Sequence, residues 1–192
     1  MTMRLLIILL AVLTADRLRA QVPAPGLPTI DLTVEVTGAL VGDFTSRMDA
    51  YARLRTTLEE GLPPLVVTED PHDIRRAEQA LAERIRAARA GAGRGDIFTQ
   101  DIRRAFRQLL APVTTEGTCA QIDDDNPGEF QYPVNSEYPK DRTVSTVPAA
   151  MLNILPRLPE DVFYRFLDTD LILHDTRANV ILDRIDNAVR CR

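Results

Sequence analysis

The sequence has no tryptophan, and aromatic residues make up only 5% of its 192 positions. A base- or sugar-stacking platform needs several presented rings, so the composition argues against that kind of site. Two histidines, His72 and His174, stand far apart, and two cysteines cannot build the usual four-ligand zinc cluster. No metal site and no cofactor are expected. The 9 glycines form no phosphate-cradling loop. Serine occurs only at Ser46, Ser136 and Ser145, with no GxSxG nucleophile elbow among them. Lysine occurs once, at Lys140, and arginine carries the rest of the basic charge. That skew runs through the whole chain, so it marks no site. What remains is 45% hydrophobic and 27% charged, enough for one packed domain with a tail and too short for two.

The first twenty residues indicate a compartment. A short basic start, residues 1–4, precedes an eleven-residue, nearly all-apolar run at residues 5–15. A polar stretch then ends at Ala20, followed by Gln21 and the proline-rich VPAPGLP. This order is that of a secretory signal peptide, with cleavage expected after Ala20. The run is too short for a stable bilayer anchor, which needs about 20 residues. Loss of residues 1–20 removes three arginines and one aspartate and takes the net charge from −5 to −7. An acidic, exported chain argues against nucleic acid or an anionic membrane as partner, and no membrane anchor is expected after cleavage.

Residues 21–42 read as a linker. Within it Ile30, Leu32, Val34 and Val36 alternate with polar residues, which predicts a strand over 30–37 ended by Gly38. From residue 43 to 192 the pattern predicts a single α+β domain. Phe44, Met48, Tyr51, Leu54 and Leu58 form a first helical stripe, with Asp43 or Thr45 as N-cap and a stop at Gly61-Leu62-Pro63-Pro64. Asp70-Pro71 opens a second helix carrying Ile74, Ala77, Leu81, Ile85 and Ala88, and the run GAGRG closes it. Thr99 caps a third helix, with Ile102, Ala105, Phe106, Leu109 and Leu110 inward and Pro112 as stop. Residues 113–145 read as irregular, and Thr146-Val147-Pro148 opens a short helical turn. The runs 162–167, 171–173 and 179–185, separated by turn residues, predict a three-stranded antiparallel meander.

The stretch STVPAAMLNILPRLPEDVFYRFLDTDLILHDTRANVILDRIDNAV resembles the C-terminal half of a group of secreted bacterial proteins with no assigned activity. Upstream segments LEEGLPPL, DIRRAEQALAERIRAARAGAGRGDIFTQDIRRAFRQLL and VNSEYP resemble the same group, so the likeness covers most of residues 43–190. It implies fold and export, and it carries over no catalytic residue. The segment FYRFLDTDLILHDTRANVILDRI is also similar to the C-terminal hairpin of the periplasmic nickel/cobalt-homeostasis family. The chain has no histidine-rich tract, so metal function is not transferred with that hairpin.

Three clusters carry possible chemistry. Asp123, Asp124 and Asp125 with Glu129 offer oxygens to a hard cation, which wants six or more. The EF-hand pattern fails, since Pro127 stands at the fifth position and Val134 at the twelfth; the plainer reading is a solvated acidic loop. His174, with Arg165, Asp175 and Arg177 around it and Asp183 nearby in the meander, is the candidate binding cluster, and an imidazole beside a carboxylate is also a possible general base. Alternation places Ile172 and His174 on one face of their strand and Leu171 and Leu173 on the other. If the leucine face meets the helices, His174 faces outward or sits at a rim. The plainer reading is polar pairing across a hairpin. Residues 73–107 hold nine arginines against five acidic residues, and their i,i+3 pairing reads as a solvated helix face rather than a polyanion site.

The expected function is a non-enzymatic periplasmic or secreted binding or accessory module whose partner is a protein or small ligand. A small hydrolase using His174 with an acidic neighbour, and a cation-stabilised structural module, are the competing readings. Cys119 and Cys191 are the only thiols and both follow the export signal, which predicts a disulfide between them.

Overall fold

The computed structural model describes residues 32–63 and 70–191, with side chains from residue 38 onward. The signal peptide, the linker segment 21–29 and the first two positions of the expected strand lie outside the described residues. From Leu32 on, the chain forms one compact unit. Its elements run α1 (Leu32–Glu60), α2 (Pro71–Ala88), α3 (Gln100–Leu110), a 3₁₀ turn (Ala111–Val113), α4 (Glu116–Asp124), α5 (Ala149–Leu152), then β1 (Val162–Leu167), β2 (Asp170–Asp175) and β3 (Val180–Ile185). The fold is α+β, with a three-stranded antiparallel sheet in the order β1-β2-β3.

The strand expected over 30–37 is not formed: residues 32–37 are the first turns of α1, a helix of 29 residues. Extending an existing helix gains one hydrogen bond per residue, whereas an isolated strand needs a partner edge. Asp43 and Thr45 are therefore mid-helix residues rather than N-caps. Asp43 instead receives Arg47 one turn on, at 3.1 Å, and the Thr45 hydroxyl donates to the Val41 carbonyl. The buried stripe of α1 is Phe44, Met48, Tyr51 and Arg55, with Leu54 only half-buried.

The other helix signals correspond closely to the structure. The Asp70 carboxylate accepts from the His72 amide at 2.8 Å, Pro71 occupies the first turn of α2, and Leu81, Ala82 and Ile85 are buried. The Thr99 hydroxyl accepts from the Ile102 amide, and α3 buries Ile102, Ala105, Phe106 and Leu110. Phe44, Phe98, Phe106 and Tyr164 form one aromatic cluster, with centroids 4.9–6.4 Å apart, joining α1 and α3 to the sheet.

The region read as irregular contains α4. Thr115 and Thr118 cap it reciprocally, each side chain bonding the other's backbone amide. Cys119 on α4 is disulfide-bonded to Cys191, with Cα atoms 5.4 Å apart. This is the pairing that the cysteine count predicts, and it ties the chain's end to α4.

β1 and β2 pair from Val162↔Asp175 to Leu167↔Asp170 around the two-residue turn Asp168-Thr169. β2 and β3 pair from Leu171↔Ile185 to Asp175↔Val180, with a bulge at Leu173/His174. One face of the sheet, including Leu171, Leu173, Val180 and Leu182, joins the helical core. The other face is also covered. Tyr138, Leu167, Ile172 and Ile181 form a second core, with Phe130 and Tyr132 packed against it. Residues 135–138 run along the edge of β3: the Asn135 amide donates to the Ile181 carbonyl and the Ile181 amide to the Ser136 carbonyl, both at 2.8 Å. Aromatics in the loop thus close the face that the alternation leaves open.

Candidate functional site

His174 is buried, only 4% exposed, and does not face outward or sit at a rim. The loop aromatics are the reason: the Tyr138 ring stacks on the imidazole with centroids 4.9 Å apart. The four residues grouped by sequence around the meander separate into three places. Arg165 and His174 share a cleft of about 300 Å³, also lined by Glu78, Tyr138, Lys140 and Arg142. Asp175 points to the opposite face of the sheet, and Arg177 lines a different cleft with Glu59 and Leu62.

Asp175 is fully enclosed. Its Oδ2 accepts from the Tyr51 hydroxyl at 2.5 Å and from Arg55 Nη1 at 3.1 Å. Its Oδ1 accepts from the amides of Arg177, at 2.9 Å, and Ala178, at 3.1 Å, the Asx-turn that the sequence suggests. Burial and the carboxylate together push the Tyr51 phenol far above its ordinary value. Burial works against the Arg55 charge, but Asp175 outweighs it and the net shift is upward. Asp175 holds α1 to the sheet and has no oxygen left for His174. Arg177 is about half exposed and pairs with Glu59.

The structure also separates Asp183, which the sequence places near His174, from that cluster. It accepts from the amides of Gly95, Ile97 and Phe98 at 2.8–3.2 Å and from the Arg184 amide at 2.7 Å. It terminates the backbone donors ahead of α3.

In the cleft the protonation of His174 can be assigned. The Asn179 Nδ2 donates to the Tyr138 carbonyl at 2.8 Å and to Glu137 Oε1 at 3.3 Å, which fixes Asn179 Oδ1 as an acceptor. That oxygen lies 2.9 Å from His174 Nε2, so Nε2 carries the proton. In the neutral ring Nδ1 is then an acceptor, and it is buried without a partner. Burial is the main force holding the imidazole below its ordinary value; the Asn179 bond opposes this, and the Arg165 charge adds to it.

Arg165 is the other unusual group. Its Nη1 donates to the Ser145 carbonyl at 3.0 Å and its guanidinium lies over the Phe163 ring at 5.0 Å. No carboxylate among the described residues pairs with it, and its Nε is buried without a partner. Burial lowers its pKa, countered only by Tyr138. The hydroxyl of Ser145 is likewise enclosed, beside Tyr138. Lys140 is neutralised, at 2.7 Å from Glu78 and 3.2 Å from Glu137. Arg142 makes only a long bond to the Pro127 carbonyl, at 3.4 Å.

The arrangement can bind and orient a polar group. His174 Nδ1 is unpartnered, so Ser145 Oγ and the imidazole make no Ser–His hydrogen bond, and both thiols are in the disulfide. The acidic run does not converge. Asp123 and Asp124 lie on α4, Asp125 takes the Thr146 hydroxyl, and among the described residues no three potential metal ligands gather. A groove of about 830 Å³ beside Cys119–Cys191 has no buried unpartnered side-chain atom among its lining residues.

The fold is an α+β domain with a polar cleft between loop and sheet. The chain matches no known family, no curated protein and no solved structure.

Proposed function

We propose that this chain is an exported binding or accessory module, periplasmic or secreted, and that the Arg165–His174 cleft is its ligand site. The observation that carries the reading is the pair of buried nitrogens, Arg165 Nε and His174 Nδ1, left without partners on two residues that line one cleft. Unpaired buried polar groups cost free energy, and two of them side by side at one cleft are a cost that packing alone does not require. Export is supported by the basic–apolar–polar order of residues 1–20, by the disulfide, and by the likeness to secreted bacterial proteins. No described helix is long and apolar enough to cross a membrane.

The test is imidazole NMR on the mature protein against a library of small polar compounds, charged and neutral. Compounds that perturb His174 and are recovered unchanged support a binding site. A compound hydrolysed by the wild type but not by His174→Ala would replace this reading with the hydrolase.

A further inference from the structure

We propose that the ligand of this cleft is a small organic monocarboxylate, seated on Arg165; the inference rests on the cleft being a ligand site. An arginine N–H gives a carboxylate a charge-assisted hydrogen bond. On Arg165 Nη1 already serves the Ser145 carbonyl and Nε has no accessible surface, which leaves Nη2 as the donor for the ligand. The guanidinium is half-buried and has no acidic partner among the described residues, an arrangement whose desolvation is uncompensated without an anion.

Charge selects the class of anion. The cleft brings together Lys140, Arg142 and Arg165, while Glu78 and Glu137 neutralise Lys140 and one further unit of charge. One net positive charge matches a monoanion better than a dianion such as phosphate. The walls select the rest of the molecule. Pro139, Val144 and the Tyr138 ring give an apolar lining, and about 300 Å³ suits a compact ligand.

The experiment titrates the mature protein with isobutyrate and benzoate, with their neutral amides, and with inorganic phosphate, following heat and the His174 ring signals. Both carboxylates are expected to bind and move His174, with the amides and phosphate weaker by about tenfold, the loss expected from one charge-assisted contact. Arg165→Gln should weaken the carboxylates by a similar factor. If that variant fails to fold, Arg142→Gln provides the check: carboxylate binding should weaken, and unchanged affinity would overturn the charge argument. Amides binding as well as acids, or phosphate binding better, would overturn the carboxylate while leaving the cleft as a binding site. If no probe, charged or neutral, perturbs His174, the ligand-site reading falls as well.

Discussion

Asp175 and Asp183 are both enclosed by the fold, and both are satisfied, one by a phenol, a guanidinium and two amides, the other by four amides. Removing the first leaves the buried Arg55 charge without its carboxylate, with Nη2 still on the Glu160 carbonyl. Asp175→Ala should therefore destabilise by about 3–5 kcal/mol in urea unfolding; a loss below about 1 kcal/mol would show that the network is not a structural tie. His174 differs because its shift sets a pH dependence. Burial lowers its folded-state pKa from 6.5, so the unfolded chain takes up the proton first as pH falls. Stability from this group is whole above about pH 6.5 and is lost below it, down to the folded-state value, at no more than about 1.4 kcal/mol per pH unit. Unfolding free energies between about pH 7.5 and 5.5 should thus fall more steeply for the wild type than for His174→Gln. Parallel profiles would contradict the assignment. The sequence pointed to Arg165 and His174 together but set Asp175 beside them as well. Strand alternation separates neighbours onto opposite faces, and only Asp175's partners, 120 and 124 residues away, show which face each serves.

At the scale of elements, legibility followed locality. α2 and α3 were readable because Asp70-Pro71 and Thr99 sit at their starts and satisfy amides that no tertiary contact supplies. The meander was readable from strand runs and turn residues. The turn and edge positions Asp161, Asp168, Asn179 and Asn187 adopt left-handed backbone, which Asn and Asp tolerate. The upstream part of α1 was misread because Leu32, Val34 and Val36 also fit a period of two, and only helix continuity decides between the two periods. α4 went unseen because its capping box uses a threonine at the third position in place of Glu or Gln. Thr115→Ala should lower stability by about 1 kcal/mol, measured by chemical denaturation, with Thr115→Ser close to wild type. Equal losses in both variants would show that the cap contributes through its methyl rather than its hydroxyl. The cover over His174 was illegible for another reason: residues 130–138 carry their aromatics without any periodic pattern, and their place on the sheet is set by pairing with β3.

For the whole molecule, the disulfide closes the chain's end onto α4 across a separation of 72 residues. In the chain-entropy description a loop of that size stabilises by at most about 4 kcal/mol. The unreduced protein should carry no free thiol by alkylation and intact mass, and Cys119→Ser should melt at lower temperature; a variant with unchanged melting would leave the bond without a stabilising role. The sheet's two faces then divide the molecule. One makes the core that holds the helices, and the other, under the loop aromatics, holds a cleft with two unpartnered buried nitrogens. That cleft is the centre of the functional account, and nitrogen-15 NMR of the His174 ring in the mature protein tests it most directly. The account predicts, at neutral pH, a neutral ring protonated on Nε2, with Nδ1 the nitrogen whose resonance moves when a cleft ligand binds. A ring protonated on Nδ1, or an Nδ1 resonance that stays fixed while a ligand binds, would contradict it.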